Sequence, residues 1–159
     1  MADQCYIGTP NGVVVCVDRL SAEGCDGRFY HAYRKEEITF RGLGEMLFRM
    51  EQFYDVINFP RRANNVRDFM EKERVYVSDK GIEKMVTDQE LLKHRGSQET
   101  FIVRVQHREN NSWQGRITWV DKNKTLTFRS IWEMVHMMEN ALYEDASPEE
   151  IPQIRSWEE

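Results

Sequence analysis

Laying each residue of the chain over the one 88 positions later gives an ungapped match from Val13/Phe101 to Asp55/Tyr143. Eleven of those 43 positions are identical: Val15, Val17, Gly27, Arg28, Thr39, Phe40, Arg41, Glu45, Met46, Met50 and Glu51. That is about a quarter, against the roughly 5–6% that ordinary composition gives by chance. An internal repeat of this kind constrains the fold more than any single motif, because both copies must satisfy one architecture.

Each copy carries the same succession of patterns. A β-branched apolar run, VVVCV or FIVRV, reads as a strand. A polar stretch of nine residues follows, DRLSAEGCD or QHRENNSWQ, which reads as a loop closed by Gly27 or Gly115. A second strand (RFYHAY or RITWV), a charged turn (RKEE or DKNK) and a third strand (ITF or LTF) come next, linked tightly enough for antiparallel pairing. The period then changes. Leu43, Met46, Leu47, Met50, Tyr54 and Ile57 form one helical stripe, repeated as Ile131, Met134, Val135, Met138 and Leu142. Ser130 with Glu133 makes a capping box that starts the second helix at Ile131, and Gly42 with Glu45 is a weaker version of it.

The expected fold is therefore α+β: a duplicated β-β-β-α unit with antiparallel sheets, related by a pseudo-twofold, the helices packed on the sheets. A single three-stranded sheet would leave edges unprotected, so the copies either join their sheets or pack face to face. The first unit spans residues 1–59, a connecting segment 60–100, the second unit 101–145 and an acidic tail 146–159. Within the connection, Thr87 and Glu90 predict a short helix over Asp88 to Lys93, and Phe69 with Val75-Tyr76-Val77 could anchor the chain.

The net charge of −5 comes from the end of the chain. From Glu139 onward seven acids face only Arg155, which leaves residues 1–138 at +1. A near-neutral body lacks the basic excess of a dedicated nucleic-acid binder, though not a local basic patch. The longest apolar run is far short of the ~20 residues a membrane span needs. No signal peptide is evident at the N-terminus, and three cysteines outside any CxxC fit a reduced, cytoplasmic protein.

In the second copy the strings Arg104–Arg108, Trp113-Gln114-Gly115, Trp119 and Phe128-Arg129-Ser130, with TDQELL at 87–92, resemble a family of small proteins of anaerobic gut bacteria often encoded beside mobile elements. The resemblance covers about residues 85–142 and supports the unit boundaries; it implies no activity.

No catalytic pattern stands out. The four histidines form no HxxxH or HxH pair, and Cys16, Cys25 and His31 fit no zinc spacing. Cys25 beside His31 is the one conceivable nucleophile and base, and nothing asks for a cofactor. The distinctive polar stretch is HRENNSWQGR, which offers His107, Arg108, Asn110, Asn111, Trp113, Gln114 and Arg116. Stacking area beside directional donors makes a recognition surface for a protein partner, to which Trp119 and Arg129 could add. The competing account is a structural loop with Trp113 on the core. The repeated Arg28/Arg116 and Arg41/Arg129 are either helix-start salt bridges or paired anion contacts. Nucleic acid, through Arg104, Arg108, Arg116 and the basic 61–74 segment, is the alternative partner, as is inhibition of a nucleic-acid enzyme by the acidic tail.

Overall fold

The computed structural model describes residues 5–70 and 83–143. Six strands, β1 (Val13–Ser21), β2 (Gly24–Tyr30), β3 (Ile38–Arg41), β4 (Glu99–His107), β5 (Gln114–Trp119) and β6 (Lys124–Phe128), form one antiparallel sheet. Its order is β3-β2-β1-β4-β5-β6, so the strands opening each half meet at the centre. Three α-helices accompany it among the described residues: α1 (Gly42–Ile57), α2 (Asp88–Leu91) and α3 (Ile131–Tyr143). The fold is α+β, with the sheets joined edge to edge.

The registers of the two halves coincide. Val15 faces Phe29 in the first half and Val103 faces Ile117 in the second. Gly27 faces Phe40, and Gly115 faces Phe128. The β1–β2 ladder shifts between Val17 and Arg19, and the β4–β5 ladder between Val105 and His107. Each second-half position lies 88 residues after its counterpart. At the central seam Val13 faces Val103, Val14 faces Ile102 and Val15 faces Phe101. Exchanging every residue for its counterpart turns the first of these pairs into the third and leaves the middle pair on itself.

Sequence alternation explains the two covered faces of the sheet. Val13, Val15, Val17, Phe101, Val103 and Val105 point to the face that carries α1 over β2 and β3 and α3 over β5 and β6. Val14, Cys16 and Ile102 point to the outer face, under Ile7, Val86 and Leu91. Burial on both sides is why VVVCV reads as unbroken apolar sequence instead of alternating. Met46, Met50, Met134 and Met138 of the helical stripes are fully buried, where unbranched thioethers fill irregular gaps.

Of the polar stretches expected as nine-residue loops, the first is mostly strand, whereas in the second residues 108–113 lie between β4 and β5 as expected. In the first half pairing continues to Ser21–Gly24, leaving a two-residue turn at Ala22 and Glu23. In the second it reaches His107–Gln114; Asn110 and Asn111 turn the chain at φ 56° and 53°, and the Ser112 N–H donates to the Glu109 carbonyl (3.0 Å). Two consecutive left-handed residues suit a twisted hairpin, and asparagine tolerates them. Most side chains of these arms are polar and at least partly exposed, so their composition resembles that of a loop.

Gly27 and Gly115 have a specific steric job. A Cβ on either would lie 2.0 Å from a neighbouring-strand carbonyl oxygen, that of Cys16 or of Arg104. Both sit next to the register shift, where the ladder brings the facing backbone in close.

Capping also follows the sequence. The Glu133 N–H donates to Ser130 Oγ (3.1 Å) at the start of α3, and the Glu90 N–H to Thr87 Oγ1 (3.2 Å) at α2. The helix expected to reach Lys93 ends at Leu91. At α1 the N-cap position is Arg41, and no side chain caps the helix start. Phe69, expected as an anchor, is fully exposed. The Val75-Tyr76-Val77 run and the acidic tail lie outside the described residues.

Gly27→Ala and Gly115→Ala should each cost about 2–3 kcal/mol through strand displacement. Urea unfolding with unchanged m-value measures this; a loss under about 0.5 kcal/mol would mean the ladder relaxes freely around a methyl group.

Candidate functional site

Trp113 and Arg108 do not lie on the surface. Trp113 is 1% exposed and meets the Tyr54 ring of α1 edge-on at 5.2 Å, and its indole N–H donates to the Glu51 carboxylate. Arg108, 3% exposed, reaches Asp55 (2.7 Å) and Glu51 (3.1 Å), while its Nε donates to the Pro60 carbonyl (2.6 Å). Arg62 closes the cluster on Asp55 (2.7 Å) and Glu51 (2.8 Å). The chain can reach there because α1 ends at Asn58 in the left-handed conformation (φ 50°), turning Pro60 and Arg62 back toward the hairpin. Two arginines thus meet two carboxylates, and the second half's hairpin is locked onto the first half's helix. The opposite contact also exists: the α3 residue Glu139 influences the buried Cys25 of β2, and the Tyr143 hydroxyl reaches the Ser21 carbonyl (3.5 Å).

The other candidates divide between bracing and exposure. The Gln114 side chain clamps Glu109, accepting its N–H (2.9 Å) and donating to its carbonyl (3.0 Å). The Trp119 indole donates to Glu99 (2.7 Å). Arg129 pairs with Glu133 (3.0 Å), whereas Glu45 pairs with Arg49 and not with Arg41. Arg104 is buried and donates to the carbonyls of Tyr6 and Ile7 and to Thr118. His107, Asn110, Asn111 and Arg116 remain exposed. The stretch HRENNSWQGR therefore offers a partner much less than its composition suggests.

The proposed cysteine and histidine chemistry meets physical obstacles. Burial pushes the Cys25 thiol up to about 12, with Asp26 and Glu139 adding to the effect. Burial likewise lowers the His31 imidazole to about 4, and it lies stacked on Phe53 at 3.8 Å. A thiol held protonated is a poor nucleophile. Cys16 packs in the outer core and Cys25 in the inner one, so they cannot converge on one ion.

A different surface emerges on α3. Trp132 is 73% exposed, and its ring stacks on His136 at 5.2 Å and 5°. Glu133 lies beside them at helical spacing, and Arg129, just before the Ser130 cap, reaches this face through its ion pair with Glu133. The face opposes the buried Met134 and Met138. Trp132 was not among the residues singled out from the sequence. Its signal was available: a tryptophan one place off the apolar stripe, four residues before a histidine.

The chain matches no protein-family model, no curated protein and no solved structure.

Glu99 lies beside the Asp121 carboxylate, and burial raises its carboxyl to about 7, Asp121 adding to the shift and the Trp119 N–H opposing it. The folded protein therefore binds this proton more tightly than the unfolded chain does. Its contribution to stability is fully present below the ordinary carboxyl value of 4.5 and is lost as pH rises through about 7. Glu99→Gln keeps an acceptor for Trp119 and removes the charge, so it should flatten the fall in Tm between pH 5 and pH 8. Thermal melts in which the parent and the variant keep the same pH dependence would refute this.

Proposed function

We propose that the protein is a non-catalytic interaction module, a duplicated β-β-β-α unit that docks a protein partner on the outward face of α3. The duplication is supported by ladder registers and bulges that recur 88 residues apart. One observation carries the docking site: a tryptophan 73% exposed to water, yet held flat against an imidazole. Exposed indole area is ordinarily buried where it can be, and tryptophan is enriched among the few residues that dominate interface energies. Stacking on His136 restricts the ring beforehand, so less side-chain entropy is lost when a partner covers it. The Arg129–Glu133 pair beside it supplies a polar rim.

The two copies differ at this face. The second carries Trp132 and His136 where the first has Gly44 and Phe48. The three cysteines, two of them buried, form no disulfide among the described residues, which suits a reducing compartment and the proposed cytoplasmic location. No helix among the described residues is long and apolar enough to cross a membrane. The resemblance to gut-bacterial proteins near mobile elements belongs to the same proposal.

Pull-downs from native lysate should recover a stoichiometric protein on the parent chain, at least tenfold less on Trp132→Ala, and an unchanged amount on Lys35→Ala. Both substitutions are at exposed positions and should leave Tm nearly unaltered. Equal capture by Trp132→Ala, or no retained protein on the parent, overturns the proposal.

A further inference from the structure

The two arginines paired across β4 and β5 have no carboxylate partner among the described residues. Arg104 and Arg116 are directly opposed across the ladder, an arrangement that is destabilising between like charges. Arg104 is 2% exposed, lies under the Tyr6 ring at 4.2 Å, and hydrogen-bonds only to carbonyls and a hydroxyl. Arg116 is exposed and makes no hydrogen bond or ion pair among the described residues. The corresponding place in the first half is neutralised. There Arg28 faces Cys16 and binds both oxygens of Asp18 (2.9 and 2.7 Å). Gln106 occupies the position of Asp18 in the second half, so the carboxylate that would balance Arg116 is missing.

What surrounds Arg116 can donate hydrogen bonds. Thr127 faces it across the β5–β6 ladder, and Thr125 faces Thr118. Arg104 donates to Thr118 Oγ1 (3.0 Å), which lies 2.8 Å from Thr125 Oγ1. When Thr118 donates onward, the Thr125 hydroxyl is left free to donate outward, polarised by the buried guanidinium. Arg116, Thr125 and Thr127 then form a small donor cluster on the outer face, backed by a second positive charge. None of these residues takes part in the α3 face.

From this juxtaposition we infer that the outer face of β5 and β6 binds a phosphoryl oxyanion, held by the Arg116 guanidinium and the Thr125 and Thr127 hydroxyls over the buried charge of Arg104. A guanidinium fork matches two oxygens of such a group, and the hydroxyls reach a third. The group can come from free phosphate or from the backbone of a single-stranded nucleic acid.

Calorimetric titration with inorganic phosphate at constant ionic strength tests the site, using Arg116→Gln and Thr127→Val, both at exposed positions. Saturable binding is expected, weakened at least fivefold by Arg116→Gln and measurably by Thr127→Val. A ten-residue oligothymidylate that binds and is displaced by phosphate identifies the backbone as source; phosphate binding without oligothymidylate binding identifies the free anion. Phosphate titrations that are identical for the parent and Arg116→Gln, or show no binding to the parent, overturn the inference.

Discussion

Everything else in the molecule hangs on the pairing of β1 with β4. Neither half has a covered sheet of its own: β1 and β4 would each be an edge, carrying unpaired N–H and C=O groups beside fully apolar side chains. Joined through the Val14–Ile102 pair, they become the two central strands, buried on both faces. That position accounts for VVVCV and FIVRV being the most apolar runs in the chain. It also sets where the hairpins project, and hence which helix each one meets.

The hairpins bind the halves together a second time. Glu51 receives the Trp113 indole and pairs with Arg62 and Arg108, so a short stretch of α1 holds two segments that are remote in sequence. The desolvation of the buried Arg108 is offset by the carboxylates its charge meets and the carbonyl its Nε reaches. The outer face follows another logic. Tyr30 stacks on His94 at 3.5 Å, Asp18 receives the Ser97 N–H, and Arg104 holds the segment before β1 through backbone carbonyls. Polar clamps there do what methionine and phenylalanine do beneath the helices.

Much of this was legible in the sequence. β-branched apolar runs marked strands, a 3.6-residue period marked helices, and the capping residues located the starts of α2 and α3. The joining of the sheets was not legible, because an apolar strand reads alike whether its neighbour is another strand or a facing layer. Nor was the fate of the arginines. Arg104, Arg108, Arg116 and Arg129 look interchangeable in the string, yet one pins the N-terminal segment, one joins a buried ion cluster, one is free and one braces a helix start. Their partners are up to 98 residues away, and spacing along the chain carries no information about such contacts. Trp113 misled for a related reason: its neighbours Asn111, Ser112 and Gln114 are polar because they serve the hairpin, while the ring itself turns inward.

The central register has one more consequence. A seam that maps onto itself when the halves are exchanged is a seam that two separate, identical chains could form around a true dyad. For such chains, assembly would depend on concentration, and every substitution would appear twice. A covalent tether replaces concentration with a fixed local one and frees each side to change alone. Asp18 against Gln106, and Gly44 against Trp132, are differences that no homodimer could hold.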